Sequence, residues 1–120
     1  MIIEIAGQQW SVQAVEAHDP GLFANGDECR GTCWCGKSEI YLSKELSGDQ
    51  VPRVVMHELV HAYIYATQAV KPENWTEEDM CELIAIYGWQ MCVLGRQICE
   101  ELFPKVKLRP WNITYGEVRV

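Results

Sequence analysis

Apolar and polar residues alternate along two short stretches in the first third of the chain, residues 10–15 and 39–43. Residues 2–5 and 10–15 also carry the β-branched and aromatic side chains that are common in strands. A period of two is typical of half-buried strands. Residues 18–27, between these stretches, are rich in turn formers and predict a loop. We therefore expect a small, twisted, mostly antiparallel sheet.

The hydrophobic period lengthens to three or four residues after Asp49, which is the spacing of a helix. Pro52 suits a first helical turn, and a helix is predicted over residues 51–69. The sequence Lys-Pro-Glu-Asn at residues 71–74 ends it. Residues 111–120 are predicted to form a short terminal strand or tail.

A second helix is predicted from Thr76 to Phe103, just before Pro104. Thr76 resembles an N-cap followed by an acidic first turn, which suits the positive end of the helix dipole. The helix carries a stripe of large apolar residues beside a stripe of small ones. Both stripes are predicted to face the core: Ile84, Tyr87, Met91, Leu94, Ile98 and Leu102, and Cys81, Ala85, Gly88, Cys92, Gly95 and Cys99.

These patterns predict a single α+β domain over residues 1–120, with the sheet packed on two helices. Apolar residues make up 48% of the chain and charged residues 22%, which is ordinary amino-acid composition for a globular protein. A chain of 120 residues is expected to have one hydrophobic core. Its net charge of −7 repels phosphate backbones, so we expect no nucleic-acid partner. It shows neither a membrane-length apolar run nor a signal peptide, so a cytoplasmic protein without a membrane partner is expected. Oligomeric state is not predicted.

The candidate chemistry is concentrated in the first predicted helix, where residues 57–61 read His-Glu-Leu-Val-His, the pattern H-E-x-x-H. Positions i and i+4 lie on one helix face, so His57 and His61 can both reach one tetrahedral Zn²⁺ ion. Glu58 lies about 100° further round the helix and can take a proton from zinc-activated water. We predict His57 and His61 as zinc ligands and Glu58 as the catalytic base. His18, in the turn-rich loop, is expected to have no such role.

A catalytic zinc site takes a third protein ligand, and no histidine follows His61. The candidates are acids at the start of the second predicted helix. Glu82 lies deepest among apolar neighbours, where an unpaired carboxylate is costly and a metal-bound one is not. We therefore predict Glu82 as the third metal ligand, with Glu78 and Asp79 as alternatives.

Residues 53–62, Arg-Val-Val-Met-His-Glu-Leu-Val-His-Ala, followed by Glu-Leu-Ile-Ala at 82–85, resemble the minimal gluzincin metallopeptidases of phages and mobile elements, a group similar to the ImmA/IrrE-type proteins. The resemblance covers about residues 38–90. It implies a zincin-like fold and an upstream strand, here Glu39 to Ser43, that lines the cleft and pairs with an extended peptide. Ile86 stands where many repressor-cleaving relatives carry Asn, so repressor cleavage is not implied.

The function expected from these residues is hydrolysis of a peptide or protein substrate by a zinc metallopeptidase. The alternative is a non-catalytic binding protein whose zincin-like fold is stabilised by the same zinc. The six cysteines are expected to be mostly reduced. Cys29, Cys33 and Cys35 have a C-x3-C-x-C spacing that differs from the usual zinc knuckles. They either bind a second, structural zinc or lie in a loop or hairpin where they pack or one pair oxidises.

Overall fold

The computed structural model describes residues 1–68 and 74–108, which form the predicted α+β domain: a four-stranded sheet and two long helices. The terminal strand or tail predicted at residues 111–120 lies outside the described residues. The elements, in chain order, are β1 (Ile2–Ile5), β2 (Gln8–Val15), β3 (Phe23–Ala24), β4 (Asp27–Glu28), β5 (Gly31–Trp34), β6 (Glu39–Ser43), α1 (Gln50–Thr67) and α2 (Glu77–Leu102).

The main sheet has the strand order β1-β2-β6-β5. β1 and β2 form an antiparallel hairpin, whose turn places Ala6 and Gly7 at positive φ, the conformation that matches the twist of the strands. β5 and β6 are also antiparallel, but β2 and β6 are parallel. The sheet is therefore mixed, with one antiparallel pair on either side of a central parallel pair, whereas a mostly antiparallel sheet was predicted.

The strand implied to line the cleft was assigned wrongly. Glu39–Ser43 forms β6, which pairs with β2 on one side and β5 on the other, so it has no open edge for a peptide. β5, a strand that the sequence analysis did not predict, lies at the edge of the sheet described for residues 1–68 and 74–108. The edge position depends on which strands pair, and that pairing is a long-range property.

β5 is anchored to the rest of the domain by its outer face. The Thr32 hydroxyl and the Trp34 indole N–H both donate to the carbonyl oxygen of Gly21, at 2.6 and 2.8 Å. Gly21 lies in a 3₁₀ turn, Pro20–Leu22, that packs against the sheet. A Cβ at Gly21 would lie 2.5 Å from Cδ1 of Tyr41, so only glycine allows this turn to approach the sheet so closely. The opposite face of the sheet packs on the helices through buried residues that include Trp10, Val12, Ile40 and Leu42.

The two helices confirm the predicted order and nearly the predicted bounds. α1 ends at Thr67, and Gln68 takes a left-handed conformation at the C-cap. α2 opens with a capping box, in which the Asp79 N–H donates to the Thr76 hydroxyl at 3.3 Å and the Thr76 N–H donates to the Asp79 carboxylate at 2.9 Å. The predicted N-cap at Thr76 and the acidic first turn of α2 are both confirmed.

The prediction that both stripes of α2 are core is only partly right. Met91, Gly95, Ile98 and Cys99 are buried. In contrast, four members of the stripes are exposed: Cys81, Ile84, Ala85 and Cys92. Periodicity identifies an apolar side of a helix, but the fraction of its circumference that is covered depends on how many neighbours pack against it. No helix among residues 1–68 and 74–108 is both long and apolar enough to cross a membrane.

Candidate metal centre

Three side chains of α1 converge on one point. His57, Glu58 and His61 each offer a possible ligand atom, and these atoms all lie within 4.8 Å of one another. The two imidazole rings meet edge to face, with centroids 5.0 Å apart. Both histidines are exposed, whereas Glu58 is buried with 6% of its surface accessible. Two imidazoles and a carboxylate fit zinc, as well as other divalent ions that accept nitrogen ligands.

Glu58 is buried because β5 passes directly over it. A Cβ on Gly31 would lie 3.0 Å from Cγ of Glu58 and 2.7 Å from Cγ1 of Val54, so the strand backbone takes the space that a side chain would need. This burial raises the pKa of the Glu58 carboxyl, and the neighbouring His57 and His61 partly oppose the rise. A carboxylate with a raised pKa is a stronger base at neutral pH.

The three residues line an open cleft of about 530 Å³ between α1 and β5. The α1 wall presents His57, Glu58 and His61, and the opposite wall comes from β5 and its flanking residues. Arg30 and Arg53 also line the cleft, so two cations and one acid border it although the whole chain is acidic. The cleft is therefore less repulsive to anionic groups than the net charge suggests.

The structure does not bring the predicted third ligand, Glu82, into this cleft. α1 and α2 are antiparallel, since Tyr63 contacts Tyr87 at a centroid distance of 5.6 Å and Gly95 lies against Met56. In this register Glu82 is level with the end of α1, about seven residues or roughly 10 Å beyond His61.

The face of α2 that carries Glu82 also points away from α1. Glu82 is exposed, and it lies about 180° round the helix from the buried Met91. The alternatives Glu78 and Asp79 lie still further from the histidines, in the first turn of α2. No described residue of α2 lines the cleft. Glu82 as a ligand therefore stays a sequence prediction that this geometry does not favour.

The cleft also contains the three N-terminal cysteines, whose position in the same cleft as the histidines was not predicted from the sequence. Cys29, Cys33 and Cys35 all line it, and the Sγ atoms of Cys33 and Cys35 are 3.6 Å apart. Burial raises the pKa of the Cys33 thiol strongly, with smaller contributions from Cys35 and Glu58. The available signal was the alternation of Gly31 and Cys33, which places both residues on one face of β5, with Cys35 in the 3₁₀ turn that follows at residues Cys35–Lys37.

The remaining cysteines and the third histidine lie elsewhere. All six cysteines are free thiols; Cys81 and Cys92 are exposed on α2, and Cys99 is buried there. His18 is exposed in the loop after β2, with its Nδ1 atom 3.1 Å from the Glu28 carboxylate.

Comparisons with protein-family models, with curated proteins and with solved structures find no match.

Proposed function

We propose that this protein is a zinc-dependent metallopeptidase with an H-E-x-x-H motif that hydrolyses peptide bonds, with His57 and His61 holding the ion and Glu58 acting as general base. The observation that carries the proposal is the convergence of two imidazoles and a buried carboxylate within 4.8 Å in an open cleft. The resemblance of residues 53–62 to minimal phage-type gluzincins supports it. A binding module without turnover has no need for a buried carboxylate directly after the first histidine.

In this proposal, bound zinc supplies a Lewis acid that activates water and stabilises negative charge. Glu58 takes a proton from the attacking water and returns it to the leaving amine. Its burial under Gly31 keeps the carboxylate in one place and excludes bulk water from one side of it. The raised pKa of Glu58 favours the uptake of that proton.

The substrate proposed is an extended segment of a peptide or protein. β5 lies at the sheet edge and lines the cleft, so the substrate backbone can add to it as a further strand. Arg30 and Arg53 favour carboxylate-bearing groups at the cleft. Cytoplasmic action belongs to the same proposal, because free thiols suit a reducing compartment.

The test uses the full chain loaded with zinc and a mixed peptide library, with new N-termini identified by mass spectrometry. Glu58→Gln keeps the shape of the side chain but removes the base, so cleavage should fall at least about 100-fold while zinc content is retained. Glu101→Gln removes an exposed carboxylate on α2 and should change neither quantity. Full turnover by the Glu58→Gln variant would reject the general-base role.

Zinc binding is tested in the same experiment by replacing each of the three histidines. His57→Ala and His61→Ala should lose zinc, whereas His18→Ala should retain it because His18 lies outside the cleft. A wild-type protein that binds zinc through His57 and His61 and cleaves no peptide would support the non-catalytic binding protein instead. A wild-type protein that binds no divalent ion would reject both functions.

A further inference from the structure

We propose that the third protein ligand of this metal is one thiolate of the Cys33–Cys35 pair on the β5 side of the cleft, in place of a carboxylate from α2. The inference rests on the metal site proposed above, with His57 and His61 as the first two ligands. A ligand set of two histidines and one cysteine uses only donors that zinc prefers, and it leaves one corner of a tetrahedron for water.

The metal-ligating side chains that line the cleft limit the choice of a third ligand. Its lining includes one carboxylate, that of Glu58, which has the role of base. Its other possible donors, beyond His57 and His61, are the thiols of Cys29, Cys33 and Cys35. Glu82 projects from the exposed side of a helix that does not reach the cleft. A third ligand from the described lining is therefore a cysteine.

The second step is the direction in which β5 runs relative to α1. Gly31 contacts Val54 and Glu58, which are in the first half of α1. At the other end of β5, Cys33 pairs with Ile40 of β6, and Ile40 pairs with Val12 of β2. This end of β5 is therefore on the same side of the sheet as Trp10, which is close to Val12 in β2. Trp10 in turn packs edge-on against Tyr65, near the end of α1, at a centroid distance of 6.3 Å.

β5 and α1 therefore run in the same direction past each other. Cys33 is two residues beyond Gly31, an advance of about 6.6 Å along a strand. His61 is three residues beyond Glu58, an advance of about 4.5 Å along a helix. Because a Cβ at Gly31 would lie 3.0 Å from Cγ of Glu58, Cys33 is carried toward the level of His61, and Cys35 begins the 3₁₀ turn Cys35–Lys37 directly after β5. The strand face that bears Gly31 also bears Cys33.

The third step is the spacing of the two sulfur atoms. At a Zn–S distance of about 2.3 Å and tetrahedral angles, two sulfurs bound to one ion are about 3.8 Å apart. The Sγ atoms of Cys33 and Cys35 are 3.6 Å apart, which is close to that separation. A site that bound both would have four protein ligands and no position for water, so the open site proposed here uses one of them.

Neither sulfur belongs to the group of atoms within 4.8 Å formed by His57, Glu58 and His61. Ligation therefore includes a rotation of the cysteine side chain about χ1, and the thiol proton passes to solvent as the S–metal bond forms.

The experiment adds Co²⁺ to the purified, chelator-stripped full chain and records the ultraviolet absorption of sulfur-to-cobalt charge transfer together with the dissociation constant. Wild-type protein should show the charge-transfer band. The double variant Cys33→Ser/Cys35→Ser should lose the band and bind Co²⁺ at least about 10-fold more weakly. Cys92→Ser removes an exposed thiol of α2 and should change neither, and Glu82→Gln should also leave both unchanged.

The spectrum of the wild-type protein keeps the inference testable even if the double variant fails to fold. Co²⁺ binding without a charge-transfer band, or a band that survives in a folded double variant, would overturn thiolate ligation by this pair. If Glu82→Gln weakens binding and the cysteine variants do not, the carboxylate is the ligand and the metallopeptidase proposal remains. Failure of the wild type to bind any divalent ion would instead remove the proposed function itself.

Discussion

The two helices differ in what they contribute to the molecule. α1 has 18 residues and carries His57, Glu58 and His61, whereas α2 has 26 residues and lines no part of the cleft described here. α1 packs between β5 and α2, so one of its faces borders the open edge of the sheet. Among residues 1–68 and 74–108, neighbours bury one side of α2 and leave the opposite side exposed. The comparison shows that the candidate site depends on which helix passes the edge strand, and not on which helix carries more acidic residues.

The apolar residues of α2 are divided between an exposed side and a buried side. Ile86, Trp89 and Val93 recur at helical spacing and are more than half exposed, with Trp89 84% accessible. The buried side holds Leu83, Met91 and Ile98, each at most 1% accessible. We therefore expect α2 to act as a structural support whose substitutions change stability, and the α1–β5 side to carry the chemistry.

The largest expected effect is on stability, from Met91→Ala. Removing this buried side chain leaves a cavity between α2 and the rest of the core, so the free energy of unfolding should fall by about 2–5 kcal/mol. Denaturant unfolding in the presence of a chelator measures this without a contribution from bound metal. The metal affinity of the molecules that remain folded should not change; a large change would show that α2 shapes the site after all.

A smaller effect on stability, but a specific one on the cleft, is expected from Gly31→Ala. The added Cβ would lie 2.7 Å from Val54 and 3.0 Å from Glu58, so either β5 or the Glu58 side chain must move. We expect a loss of about 1–3 kcal/mol in the free energy of unfolding. Peptide cleavage should fall more than this destabilisation explains, because the base is displaced, and initial rates at a temperature where the variant is folded test this.

Gly95→Ala is the matched control on the α2 side. Its Cβ would lie 2.4 Å from Sδ of Met56, but this thioether is part of a flexible side chain that can rotate away. Alanine also gains about 1 kcal/mol of helix propensity over glycine. The net change in the free energy of unfolding should be within about 1 kcal/mol, with cleavage unchanged. Equal losses of cleavage in the two variants would contradict the division between the helices.

The smallest effect is expected from Trp89→Gln on the exposed side of α2. Because the indole is 84% accessible, its removal should change the free energy of unfolding by no more than about 0.5 kcal/mol. Thermal unfolding followed by circular dichroism is sufficient to detect a larger change. A loss of several kcal/mol that depends on protein concentration would mean that Trp89 is covered in solution.

The amino-acid sequence by itself determined the features that depend on neighbours within one or two turns. The capping box of Thr76 and Asp79, the bounds of α1 to within two residues, and the convergence of His57 with His61 all follow from local helical geometry. These contacts form wherever the helix forms, so periodicity and residue type were enough to predict them.

Only the tertiary structure decided the features that join distant parts of the chain. It paired β2 with β6 in parallel, placed β5 at the sheet edge, turned Glu82 away from the histidines and placed Cys33 and Cys35 in the same cleft as the histidines. Each of these depends on the register between elements far apart in sequence, which is set by the packing of a shared core. A repeat of two or of 3.6 residues describes one element at a time and carries no information about that register.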